Sequence, residues 1–95
     1  MKNKYYYNGK LVRTSENPDY KYGVVVDEDY VISCHQNKEL AQKQLNKTIN
    51  EYNKRIASDR KYLEKNSSEI TTLLLAKRIK ELDSLRIVEL EKVGG

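Results

Sequence analysis

The side chains in this 95-residue chain that could hold a ligand are mainly tyrosines: there are eight Tyr, with no Phe and no Trp. A ring carrying a hydroxyl suits a half-buried strand with a wet edge, and it also suits a flat, polar ligand. In YYYNGKLVRTS (residues 5–15), Tyr6 and Arg13 fall on one face of a hairpin whose turn is Asn8-Gly9. Thr14 and Ser15 carry that strand into a polar loop. Together they offer a ring for stacking, a guanidinium fork for phosphate and two hydroxyls for ribose or phosphate oxygens. Tyr20 and Tyr22 supply a second aromatic wall, and Arg55, Arg60 and Arg78 add charge from the helical half, where subunits meet. The competing reading is that the tyrosines pack and the arginines pair with nearby Glu.

Catalytic arrangements fare worse. Cys34 and His35 are adjacent, so on a strand they point to opposite faces and cannot pair directly. His35 is the one histidine, so it would have to serve any Ser-His or Cys-His pair. No GxGxxG or GxxxxGK[ST] run is present. The acidic run Asp27-Glu28-Asp29 lacks the spacing of a calcium loop. These patterns predict a protein that is not an enzyme and needs no cofactor or metal.

The elements that must position the candidate set follow from patterning. Asn-Gly between apolar runs is a hairpin signal, because both turn residues take positive φ. A plain two-residue turn pairs Tyr7 with Lys10, Tyr6 with Leu11, Tyr5 with Val12 and Lys4 with Arg13. Tyr5, Tyr7, Lys10 and Val12 then share one face; Lys4, Tyr6, Leu11 and Arg13 share the other. Thr14–Asp19 is a polar loop in which Pro18 holds Asn17 extended. A second hairpin, Tyr20–Val26 and Tyr30–Cys34, turns at residues 27–29. Gly23 leaves a gap on one face of it, as a strand irregularity or as room for a backbone or ligand.

From Asn37, a predicted N-cap, the period becomes helical. Leu45, Ile49, Tyr52, Ile56 and Leu63 form a heptad-like seam with Asp59 standing where an apolar residue belongs. A helix that long either bends at Asp59 or packs partly on another chain. Residues 66–69 read as a turn with Asn66 and Glu69 as a capping box. A second helix runs to about Ser84 with the stripe Ile70, Leu74, Leu75, Ile79 and Leu82, and Leu73 beside it. Leu85–Glu91 (LRIVELE) is a closing strand that rejoins the sheet. The expected fold is α+β in a single domain, residues 1–95: hairpins over 1–36, a helical hairpin over 37–84 and a strand over 85–91.

Composition limits the partners. The net charge is +4, and residues 38–65 carry all of the surplus, with eight basic and four acidic groups. One mildly basic helix is a solvated face or an interaction face, and it is thin for a dedicated DNA binder. A single cysteine excludes an internal disulfide, and no apolar run can span a bilayer. The expectation is a cytoplasmic protein with no membrane partner.

On NGKLVRTS, YKYGVVV and the arrangement of two hairpins, two long helices and a closing strand, the chain resembles the Thoeris anti-defence family of phage signal "sponges". That resemblance implies an N-terminal antiparallel sheet, long C-terminal helices and a homo-oligomer. It also implies capture, without cleavage, of a nucleotide second messenger in pockets at subunit interfaces. The messenger would be a cyclic ADP-ribose isomer or a cyclic oligonucleotide, in the cytoplasm of the infected bacterial host. It assigns no individual contacts, so the candidate set (Tyr6, Arg13, Thr14, Ser15, Tyr20, Tyr22, Arg60 and Arg78) rests on face geometry. The rival expectations are an anti-CRISPR-like inhibitor that docks its basic helix on a protein or protein–RNA complex, and a nucleic-acid-binding accessory protein.

Overall fold

The computed structural model describes residues 2–16 and 19–94. The expected extension of Asn17 before Pro18 lies outside them. Eight elements follow in order: β1 (Asn3–Tyr7), β2 (Lys10–Ser15), β3 (Tyr22–Val26), β4 (Tyr30–His35), α1 (Lys38–Lys65), α2 (Glu69–Ser84), β5 (Arg86–Glu89) and β6 (Glu91–Val93). The fold is α+β as expected, with both hairpins, both helices and a C-terminal return to the sheets.

That return is made twice. The strands form two three-stranded antiparallel sheets, β2-β1-β6 and β4-β3-β5. Where one closing strand was expected, the segment gives β5 to the second sheet and β6 to the first, and it crosses between them at Leu90. Leu90 N–H donates to the Lys21 carbonyl at 2.8 Å. Its Cδ2 lies 3.1 Å from where a Cβ on Gly23 would stand, with Val31 Cγ1 at 3.3 Å. The gap at Gly23 therefore holds this chain's own Leu90 and Val31.

Asn8 and Gly9 both have positive φ (51° and 76°), as the hairpin turn requires. The register beyond the turn differs from expectation. Tyr7 pairs with Lys10 and Tyr6 with Leu11, but a bulge then sets Tyr5 against Arg13, Lys4 against Thr14 and Asn3 against Ser15. Val12 is the extra residue, and every later β2 side chain changes face. Arg13 thus lies on the face of Tyr5, where Tyr6 had been expected. A second bulge, at Ile32, sets Val24 against Ser33 and Val25 against Val31.

Helix α1 starts at Asn37, whose Oδ1 accepts from Leu40 N–H at 2.9 Å. It runs 28 residues without interruption, about 42 Å. The Asp59 position neither breaks it nor lies idle, because Asp59 forms a close ion pair with Arg78 on α2. The capping residues are reassigned. Ser68 is the N-cap of α2, its Oγ accepting from Thr71 N–H at 3.1 Å, while Asn66 closes α1 by donating its amide to the Tyr62 carbonyl. Ser68 takes the role because Asn66 is already engaged with the preceding helix. Tyr52–Glu81 and Asp59–Arg78 together fix the helices as antiparallel.

The helices pack on β3, β4 and β5. The fully or nearly buried apolar residues are Tyr5, Val24, Val25, Val26, Ala41 and Ile56. None lies in α2. The expected α2 stripe divides: Leu75, Ile79 and Leu82 are half-buried, whereas Ile70, Leu73 and Leu74 are exposed. The far end of the helical hairpin projects beyond the sheets. The radius of gyration is 16.5 Å and the longest extent 55 Å, against about 12 Å expected for a compact chain of this length.

Candidate functional site

The candidate residues are spread over both sheets and both helices. Arg13 and Tyr20 meet, the guanidinium carbon 4.6 Å above the ring centroid. Tyr20 in turn stands edge-on to Tyr5, with centroids 5.4 Å apart. Thr14 and Ser15 follow Arg13 on β2, with Thr14 exposed and Ser15 half-buried. Tyr6 is half-buried on the opposite face of β1, across from Leu11 and Glu91. Tyr22 belongs to the other sheet, between His35 and Glu89. Arg60 is exposed on α1, and Arg78 is held by Asp59. The bulge at Val12 is what separates Arg13 from Tyr6. The Arg13–Tyr20 stack leaves a cation–π face that is already satisfied and surface-exposed, worth about 0.5–1 kcal/mol.

A more enclosed set of polar groups lies between the second sheet and the two helices. This cleft has a volume of about 520 Å³, within the roughly 300–1,000 Å³ usual for small-molecule sites. The sheet contributes Val26, Asp27, Tyr30 and the bulged Ile32. From α1 come Gln44, Thr48, Glu51, Tyr52 and Arg55, which follow one another at helical spacing; α2 contributes Lys77, Arg78 and Glu81. Thr48 is buried, donating from its hydroxyl to the Gln44 carbonyl at 2.8 Å and accepting from the Gln44 amide at 3.2 Å. Tyr52 donates to Glu81 Oε2 at 2.7 Å. Tyr30 shows 66% of its surface, so its ring is open to stacking. Arg55 and Lys77 are exposed.

A larger hollow, about 800 Å³, lies at the tip of the helical hairpin, walled by the turn between the helices with Leu63 and Leu73. It offers no aromatic ring and no arginine. The cleft is therefore the better candidate for chemistry.

Burial, and after it the Glu81 carboxylate that accepts its proton, push the Tyr52 phenol up to about 12. The folded value lies above the unfolded one of about 10. The resulting stabilisation is whole below pH ~10 and drains away as the pH rises toward 12. Chemical denaturation along an alkaline series is expected to show wild type losing stability over that window faster than Tyr52→Phe. Phenolate absorbance should show one tyrosine of wild type, absent from the variant, titrating last.

Ser33 and His35, two apart on β4, share a face, with Oγ 2.8 Å from Nε2. Burial holds the His35 imidazole below its usual range, so the neutral ring is the favoured form. The pair is a half-buried hydrogen bond on the sheet and lies outside the cleft. Among the described residues, no group of three or more His, Cys, Asp or Glu side chains is placed to hold a metal ion, and no helix is long and apolar enough to cross a membrane.

No protein-family model, curated protein or solved structure matches this chain.

Sequence reasoning missed Tyr30, Tyr52 and Lys77 as members of one site. Tyr52 was read as seam, which it is along one edge, while its hydroxyl end reaches Glu81. The signal that could have found them is the spacing of Gln44, Thr48, Glu51 and Arg55 at 4, 3 and 4. This is a polar stripe beside the apolar seam, on a helix whose basic surplus also needed explaining.

Proposed function

We propose that this protein is a phage-encoded anti-defence protein that binds a nucleotide second messenger in the cleft and withholds it intact. The messenger class is a cyclic ADP-ribose isomer or a cyclic oligonucleotide. The observation that carries the reading is the combination in one cleft of an open Tyr30 ring with Arg55 and Lys77, neither of which forms an ion pair among the described residues. A base stacks on a tyrosine face, a guanidinium takes phosphate oxygens in a fork, and a carboxylate such as Glu51 accepts from ribose hydroxyls. The buried Thr48, bonded to the half-buried Gln44, gives the floor fixed polarity.

The test is retention. The protein is incubated with cyclic ADP-ribose isomers and cyclic oligonucleotides, freed of unbound ligand and heated, and the released nucleotide is assayed. Intact nucleotide near one per site is expected from wild type. Retention should fall about tenfold or more in Arg55→Ala and in Tyr30→Ala, each of which removes on the order of 1–3 kcal/mol of contact. No retention of any tested signal overturns the reading.

A second reading has its own observation. All eight Lys and Arg of α1 are exposed, and among the described residues none forms an ion pair. That face suits an acidic protein or protein–RNA surface, as an inhibitor of a host complex would use. Capture that fails for nucleotides but binds such a complex, with loss on Lys43→Glu and Lys47→Glu, would favour it.

A further inference from the structure

The basic surplus of α1 is not spread around the helix. Lys43, Lys47, Asn50, Lys54, Ser58, Lys61 and Lys65 follow one another at steps of 4, 3, 4, 4, 3 and 4 residues. On a helix that runs 28 residues without interruption, that spacing keeps them in one narrow row. The buried side of α1 carries Ala41, Thr48 and Ile56, and Tyr52 and Asp59 reach α2 from it. At about 100° per residue the row falls on the opposite side, and all seven of its residues are exposed. The row holds no acidic and no apolar side chain, and among the described residues none of its lysines forms an ion pair. Five of the eight cations of α1 therefore stand on one straight line about 33 Å long.

This arrangement works against the helix that carries it. Lys43 with Lys47, and Lys61 with Lys65, are like charges four residues apart, a spacing that destabilises a helix. Such a local conflict, with no acid in the row to offset it, is characteristic of a functional face. The chemistry of the row selects the partner. Point charges in a line, with an amide and a hydroxyl between them, suit a phosphodiester backbone, which is contacted by Lys, Asn and Ser side chains. Protein interfaces are poor in Lys and anchored by aromatic or Arg side chains, and a lipid surface is entered by apolar ones; the row has none of these. A duplex backbone makes a full turn in about 34–36 Å and so winds away from a straight row, whereas a single strand can follow it. Beside Lys61 and Lys65, Tyr62 is 50% exposed and offers a ring on which a base stacks.

We infer that the outer row of α1 holds a single strand of nucleic acid by its phosphates, with Tyr62 stacking a base at one end. The cleft takes no part: its Glu51 and Arg55 lie on the neighbouring strip of the helix and stay open. Fluorescence anisotropy with a labelled oligothymidylate is expected to show binding whose log K falls with log salt at a slope of about −3.5, from five phosphates at about −0.7 each. Lys47→Gln with Lys61→Gln should weaken binding at least about tenfold and bring the slope to about −2. The thermal midpoint of that variant should hold or rise, because each substitution removes a like-charge pair. Lys38→Gln with Lys80→Gln removes the same charge from exposed positions off the row and should cost no more than about twofold. Tyr62→Ala should weaken binding and leave the slope unchanged. Equal losses in the two double variants, a slope indifferent to Lys47 and Lys61, or tighter binding to a duplex of the same length overturns the inference. So does an absence of binding at low salt, whether or not an acidic protein or an anionic vesicle is captured instead.

Discussion

Arg86→Ala is expected to lower the unfolding free energy by about 2–4 kcal/mol, a large part of what a domain of this size has. Its Nη1 donates to the carbonyls of Asp27 and Ser84 at 2.7 and 2.8 Å, and its Nη2 to the Glu28 carbonyl at 2.8 Å and the Tyr7 hydroxyl at 3.3 Å. One guanidinium therefore ties the β3–β4 turn, the end of α2 and β1 of the other sheet. Removing it takes the partner from four acceptors, of which the Ser84 carbonyl and the Tyr7 hydroxyl are half-buried and the Asp27 and Glu28 carbonyls face water. Lysine cannot replace it, since an ammonium is a point donor without the planar fork. Urea denaturation should rank wild type above Arg86→Lys, with Arg86→Ala lowest. Equal midpoints for all three would show that the turn holds itself.

Tyr5→Ala should cost more, about 3–5 kcal/mol, because it deletes the largest fully buried side chain and leaves a cavity. Tyr5 takes the central strand of the first sheet, between β2 and β6, and its ring is the support on which Tyr20 stands edge-on. Loss of the ring therefore also frees the Arg13–Tyr20 stack. Thermal unfolding followed by circular dichroism measures the cost, with Tyr5→Phe as the variant that keeps the ring. A midpoint for Tyr5→Ala close to that of Tyr5→Phe would refute the assignment of Tyr5 as the core of that sheet.

The elements were legible because each had a strong local signal: Asn8-Gly9 for the first turn, Asn37 for the start of α1, and the change from period two to period 3.6 between them. What could not be read was anything set by an extra residue or by distant pairing. The bulge at Val12 has no marker in KLVRTS, yet it moves Arg13 from the face of Tyr6 to the face of Tyr5, and with it the proposed aromatic–arginine pair. Asp59 was visible as a break in the seam, but its partner was not, since Arg78 and Asp59 meet only through the antiparallel register of two helices. The apolar stripe of α2 was legible, but not how much of it is covered: the helical hairpin outruns the sheets and leaves Ile70 and Leu74 exposed. Arg86 gave no signal at all: inside LRIVELE it looks like an ordinary outward-facing strand residue.

The division of residues 86–93 between two sheets has a consequence for the order of folding. β1 is synthesised well before β6, yet its second neighbour is β6, with Lys4 beside Val93 and Tyr5 beside Lys92. β3 likewise waits for β5. Until that stretch leaves the ribosome, both sheets exist only as two-stranded hairpins, which are marginal by themselves. The helical hairpin, built from local contacts, can form earlier. The connectivity predicts that the helical hairpin forms before either sheet is complete and that residues 86–93 close both sheets last.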